Sequence, residues 1–168
     1  AKGINVISLS LGEPDFKTPQ HIQDGAKKAI DEGKYFAYPP VNGYLDLREA
    51  IAEKFKKENG LNYTPDQIVV SNGAKQSIAN IFQAIINEGD EVVVFSPFWV
   101  SYSALIELAG GVPVLVKGGI ENDFKVTAEQ FEAAITSKTK AMIFSSPCNP
   151  TGSVFTKPEL EAIAKVVL

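Results

Sequence analysis

Four short apolar runs, at residues 68–71, 91–96, 113–117 and 141–145, most constrain what this chain can fold into. They are rich in Val, Ile and Phe and barely alternate with polar residues, which is the pattern of strands buried on both faces of a parallel sheet. Segments with helical spacing separate them. Residues 74–87 carry Ile78, Ile81, Phe82, Ile85 and Ile86 three and four apart, with Gly89 as the stop. Helices are also expected over 99–109 and over 127–135, the latter with Thr127 as N-cap and Gln130 completing a capping box. Strands and helices alternating in this order imply right-handed crossovers and a doubly wound, three-layer α/β/α structure around a mostly parallel sheet.

Upstream the pattern changes. Thr18-Pro19 reads as the start of a helix reaching about Glu32, with Thr18 as cap and Pro19 at the first helical position. A second amphipathic helix is expected over 45–59, with Leu47, Ile51 and Phe55 on one face and Gly60 ending it. Residues 12–17 and 35–43, crowded with Gly, Pro and aromatic side chains, read as ordered loops. Residues 1–45 are therefore expected to form an N-terminal lobe, and residues 46–168 the sheet-bearing domain. The last helix runs from Lys157 to Leu168 without a stop signal, so the chain reads as a fragment.

Composition narrows the function classes. At 168 residues, 45% apolar and 21% charged, the chain can bury a core and is not disordered. No apolar run approaches a membrane span, and no basic-then-apolar leader opens the sequence. A net charge of −4, with no basic cluster larger than a pair, argues against nucleic acid. The single cysteine, Cys148, forbids an internal disulfide and fits a reducing, cytoplasmic compartment. Nucleophile-elbow, P-loop and dinucleotide-binding motifs are absent from the sequence. His21 is the only histidine, so neither a histidine triad nor a zinc cluster can be assembled, and no metal is expected. His21 itself, in the first turn of a helix, reads as a solvent-side residue.

Three loops remain as candidate chemistry. Ser71-Asn72-Gly73-Ala74-Lys75 joins a strand-like run to a helix whose free amides and positive dipole end could receive a phosphate, although Asn72-Gly73 could equally be an ordinary N-cap. Ser96-Pro97-Phe98-Trp99 leaves the carboxyl end of a strand, the edge where open α/β sheets bind ligands. Trp99 could stack on a planar ring there, or could simply cap the core of the next helix. In Pro147-Cys148-Asn149-Pro150-Thr151-Gly152, two prolines fix a loop from which Asn149 can offer its amide. An anion cradle, an aromatic plate and an amide on one sheet edge describe a site for a phosphorylated planar cofactor.

These residues, together with Gly12-Glu13-Pro14-Asp15-Phe16 following Ile7–Leu11, and Tyr38-Pro39-Pro40-Val41-Asn42-Gly43 followed by Leu47-Arg48-Glu49-Ala50, resemble the class I aminotransferases. Those are fold-type I pyridoxal 5′-phosphate (PLP) enzymes, and the likeness is to their bacterial aspartate aminotransferase subgroup. The resemblance covers the whole chain in order. It implies that Gly73 and Ala74 form the cup for the PLP phosphate and that Trp99 stacks on the pyridine ring and flanks the substrate. It implies too that Asn149 contacts the cofactor's phenolic oxygen near the substrate, and that Gly12 meets the substrate α-carboxylate region. Tyr38 is implied to reach the phosphate of a neighbouring subunit in a homodimer. Lys75 sits where the subgroup has a lysine near the substrate's distal carboxylate, the alternative being an exposed first-turn lysine. Arg48, the only arginine among sixteen basic residues, reads as a structural or ion-pair residue of its helix rather than a substrate clamp.

Several expected parts do not occur in the chain. The family's cofactor-bonding lysine, in a Ser-x-Ser-Lys segment, and its Asp-Glu-x-Tyr aspartate both belong downstream, as do the arginines for phosphate and α-carboxylate. No catalytic residue is therefore expected in this segment, which by itself should be inactive. The resemblance implies a parent that transfers the amino group of an L-amino acid, aspartate first, to 2-oxoglutarate. An aromatic, alanine or kynurenine-type specificity, or a non-catalytic binding domain of the same fold, are the alternatives.

Overall fold

A computed structural model describes Gly3, Ile7 and residues 12–168. The chain forms two compact units, Ala1–Ile68 and Val69–Leu168, so the contacts group the helix at 45–59 with the N-terminal residues.

The N-terminal unit holds α1 (Gln20–Asp31) and α2 (Leu45–Asn59). Helix α1 starts one residue later than the sequence suggests: Pro19, not Thr18, is the N-cap, and the Thr18 carbonyl instead accepts from Gln23 Nε2 at 2.5 Å. Helix α2 has the expected bounds, closed by Gly60 in the left-handed region at φ 68°. Its Arg48 is buried at 7% exposure. The guanidinium donates through Nε to the Gly43 carbonyl (3.1 Å) and through Nη1 to the Pro65 carbonyl (2.7 Å), with Asp66 Oδ1 3.6 Å away. Arg48 thus stitches two loops to α2, the structural role expected for it.

The second unit contains α3 (Gly73–Ile85), β1 (Glu91–Ser96), α4 (Ser101–Leu108), β2 (Val112–Lys117), α5 (Ala128–Ala133), β3 (Thr139–Ile143) and α6 (Lys157–Val167). Its sheet is parallel, in the order β2-β1-β3. Residues alternate across the central strand. Val92 and Val94 join Phe82 and Ile86 of the α3 end with Tyr102 and Ile106 of α4 in one apolar layer. Val93 and Phe95 join Val126, Phe131 of α5, Phe155 and Ile163 of α6 in the other. Helices therefore cover both faces, as the alternating element order implies.

Three expectations are corrected. Residues 68–71 form no strand, because a run is a strand only when a neighbour completes its ladder, and none among the described residues does. Burial on both faces belongs to β1 alone, where Val92, Val93 and Val94 are wholly buried; the flanking β2 leaves Val112 and Leu115 about half exposed. The expected helix over 99–109 begins only at Ser101, since Trp99 and Val100 make the turn that enters it.

Capping chemistry fixes the later helices. Thr127 and Gln130 form the expected reciprocal box on α5. On α6, Glu159 accepts from the Thr156 amide (2.6 Å) and hydroxyl (2.9 Å) and from Lys125 Nζ at 2.7 Å, so one carboxylate caps its helix and pins the segment before α5. The Lys125 ammonium, then the Thr156 donors, hold the Glu159 carboxyl down at about 2. A carboxyl lowered on folding stabilises the fold fully above its unfolded value near 4.5, and that contribution fades as pH falls toward 2. Because Glu159 is about one-third exposed, solvent screening keeps the ion-pair share below about 1 kcal/mol. Glu159→Ala is expected to destabilise the protein by about 1–2 kcal/mol at pH 7, cap and pair together. In urea unfolding the gap from wild type should narrow as pH falls from 4.5 to 2; a gap that stays constant would show that the carboxylate's charge is not what holds α6.

Candidate functional site

Of the residues singled out in the sequence, Gly73, Ala74, Lys75, Trp99 and Asn149 fall at three loops of the second unit. The first opens α3. Gly73 sits at φ 79°, a conformation that side chains resist, with no atom within 4 Å of where a Cβ would stand. Its amide donates to the Ser71 carbonyl at 2.9 Å, and the Asn72 amide donates to Gln76 Oε1 at 2.5 Å. Among the described residues the next two amides, of Ala74 and Lys75, meet no acceptor, and Asn72 caps neither with its side chain. The open donors of this helix end are thus those of Ala74 and Lys75, displaced by one residue from the Gly73–Ala74 pair expected. The first turn carries no acidic side chain, so its positive end is uncompensated.

The second loop follows β1. Trp99 is half-buried and packs against the apolar layer of α3 and α4, its ring edge-on to Tyr102 with centroids 5.8 Å apart at 87°. Phe98 stacks parallel to Tyr102 at 6.3 Å. To this extent the pair caps the core. The indole has a second neighbour, however: the Lys75 ammonium lies 4.8 Å from its ring centroid. The first and second loops therefore meet through a cation and an aromatic face.

The third loop follows β3 and is closed by its own hydrogen bonds. The Cys148 amide donates to the Ser153 carbonyl (2.9 Å), the Gly152 amide to the Cys148 carbonyl (2.7 Å), and the Asn149 amide to Ser145 Oγ (3.3 Å). The Phe155 amide donates to Ser146 Oγ at 3.0 Å. Asn149 is exposed, and its side-chain amide makes no hydrogen bond among the described residues. Cys148 Sγ donates to the Pro97 carbonyl at 3.4 Å and so ties this loop to the second. Nothing in the local sequence signals this bond to a residue 51 positions away.

Gly12 and Tyr38 belong to the N-terminal unit; Gly12 is exposed and the Tyr38 ring wholly so. The Ser8–Leu11 part of the motif that precedes Gly12 lies outside the described residues. His21 is exposed, as expected. A concavity of about 470 Å³ walled by Tyr35, Tyr44, Asp46 and Leu47 also lies in that unit. The Asp46 carboxylate there accepts from the Tyr35 hydroxyl at 2.6 Å, which makes a poor seat for an anion.

Chemically, the three loops offer two open helix amides beside an ammonium, a half-covered indole and an uncommitted carboxamide. That set fits an anionic group at one end and a flat ring with an oxygen acceptor at the other. Lys75, Trp99 and Asn149 thus present hydrogen-bond donors and an aromatic face, groups suited to binding and orienting a ligand.

The family model described as aminotransferase class I and II matches residues 4–168. The aspartate aminotransferase of Bacillus sp. (strain YM-2) is 52% identical over 168 residues, covering 100% of this chain and 43% of its own length. The structure of aspartate aminotransferase from Thermus thermophilus with maleate superposes with a TM-score of 0.92 at 47% identity, over 98% of this chain and 43% of that one. An aromatic aminotransferase from Pyrococcus horikoshii OT3 is as similar, with a TM-score of 0.92 and 48% identity over 96% of this chain and 43% of its own. The chain thus spans less than half the length of these relatives, and its layered α/β fold is theirs.

Gly73 gives the direct test of the first loop. Gly73→Ala is expected to destabilise the protein by about 1–2 kcal/mol, because alanine must adopt a left-handed backbone even though space is open. Equilibrium denaturation measures this; a neutral or stabilising substitution would mean that the turn relaxes freely and does not hold the helix end in place.

Proposed function

This chain belongs to the class I and II aminotransferases, and from that premise we propose that the whole protein is a PLP-dependent enzyme transferring the amino group of aspartate to 2-oxoglutarate. The observation that carries the reading is the Lys75 ammonium seated against Trp99 beside two open amides. The Ala74 and Lys75 amides, with the Gly73 turn, would hold the cofactor phosphate; Trp99 would take the ring, and Asn149 the phenolic oxygen. When bound, PLP supplies an electron sink for the carbon that loses its proton. The residues of this chain bind, orient and exclude water around that centre. Gly12 would contact the substrate α-carboxylate region through its backbone. Tyr38, whose ring is wholly exposed, is free to reach a second subunit's phosphate in a homodimer. Residues 1–45 are read as part of the small domain and 46–168 as the first half of the cofactor domain, acting in the cytoplasm. No helix of the described residues is long and apolar enough to cross a membrane.

The specificity reading rests on charge. A lysine in the first turn opposes the helix dipole by a few tenths of a kcal/mol up to about 1, a cost that its contact with the Trp99 ring, worth about 0.5–1 kcal/mol, does no more than offset. Facing the second carboxylate of a dicarboxylic substrate, the same ammonium makes a charge-assisted contact worth about 1.5–3 kcal/mol. The equal likeness to an aromatic aminotransferase favours a second reading, in which the substrate side chain is a ring. Lys75→Ala in the full-length enzyme decides between them. It should lower the preference for aspartate over alanine or phenylalanine, measured as a ratio of kcat/KM values, by about ten- to a hundredfold. An equal loss on all substrates assigns Lys75 to the phosphate or to folding, and the aspartate specificity then falls.

A further inference from the structure

We propose that Trp99 is the positioning residue for Lys75, and through it a determinant of the preference for dicarboxylic over monocarboxylic substrates. The inference rests on the reading of Lys75 as facing an acidic side chain, and it assigns Trp99 a task separate from contact with a ring. Three observations carry it. Lys75 stands at the uncompensated positive end of α3, with no acidic residue in that turn and no ion pair among the described residues. An exposed lysine so placed is pushed outward by the helix field and has many rotamers open to it. Its ammonium nevertheless lies 4.8 Å from the Trp99 ring centroid, within the range of a cation–π contact.

The ring is itself fixed from below. Trp99 meets Tyr102 edge-on, and Tyr102 is 7% exposed in the layer formed with Val92, Val94 and Ile106. A continuous line of packed groups therefore runs from the buried strand β1 to the ammonium. The choice of an aromatic partner has a chemical consequence. A carboxylate partner would neutralise Lys75 and occupy its donors. A ring face attracts the cation through its quadrupole, leaving the charge intact and N–H donors free for an incoming carboxylate. Lys75 is thus held in one place yet remains available.

The test uses the full-length enzyme with Lys75→Ala, Trp99→Phe, Trp99→Leu and the double variant Lys75→Ala/Trp99→Leu. Two quantities are read: the aspartate-to-alanine ratio of kcat/KM, and the dissociation constant of butyrate divided by that of succinate, the first carrying one carboxylate and the second two. Trp99→Leu should depress both ratios by about two- to fivefold, beyond any loss common to all ligands. Trp99→Phe, which keeps a ring face, should restore most of that preference. In the Lys75→Ala background Trp99→Leu should leave both ratios where Lys75→Ala alone puts them. Equal losses on both ligand classes in Trp99→Leu, or a ratio that still falls when Lys75 is absent, overturns the positioning role while the acidic-substrate reading stands. If Lys75→Ala itself leaves both ratios unchanged, that reading falls and the proposal with it.

Discussion

The packing of β1 between two helical layers is the constraint on which the rest of the second unit depends. Val92 and Val94 point into one apolar layer and Val93 and Phe95 into the other, none more than 5% exposed. Each such side chain contributes about 1.5–3 kcal/mol by leaving water, so the strand cannot shift or rotate without opening both layers at once. Its carboxyl end at Ser96 is fixed for that reason. Trp99 leaves from that end and is tied back to the same layer through Tyr102, and Lys75 is tied to Trp99. The rigidity of this edge is inherited from the apolar core, not generated within the loops.

The loops add polar ties whose individual strengths are modest. Cys148 bonds the third loop to Pro97, while Ser145 and Ser146 bond it to its own backbone. On the opposite layer, Glu159 closes α6 and holds Lys125. A neutral hydrogen bond is worth roughly 1 kcal/mol net, so these contacts choose among loop conformations that the core permits. The arrangement leaves the helix amides of Ala74 and Lys75 and the side chain of Asn149 uncommitted, and uncommitted donors on a rigid edge are what a binding site requires.

How much of this was legible in the sequence follows from the range of the interactions. Helix α2 was readable to the residue, because apolar spacing and a terminal glycine are local signals. The Thr127–Gln130 box was equally local. Residues 68–71 have strand composition but no ladder partner among the described residues, and pairing is not a local property. The burial of Arg48 depends on the carbonyls of Gly43 and Pro65, the latter 17 positions away, so composition alone could only suggest a structural role. The three candidate loops were visible as motifs. The contacts that join them, Lys75 to Trp99 and Cys148 to Pro97, arise only when the chain has folded.

The claim at the centre is that this edge, with its open helix amides and its anchored indole, is the seat of a phosphorylated planar cofactor. A crystal structure of the full-length protein grown with PLP tests it most directly. The expected result is density for the phosphate within hydrogen-bonding distance of the Ala74 and Lys75 amides, with the ring against Trp99 and Asn149 beside its phenolic oxygen. A phosphate bound elsewhere in the molecule, with those amides open to water and Trp99 touching no cofactor atom, would contradict it.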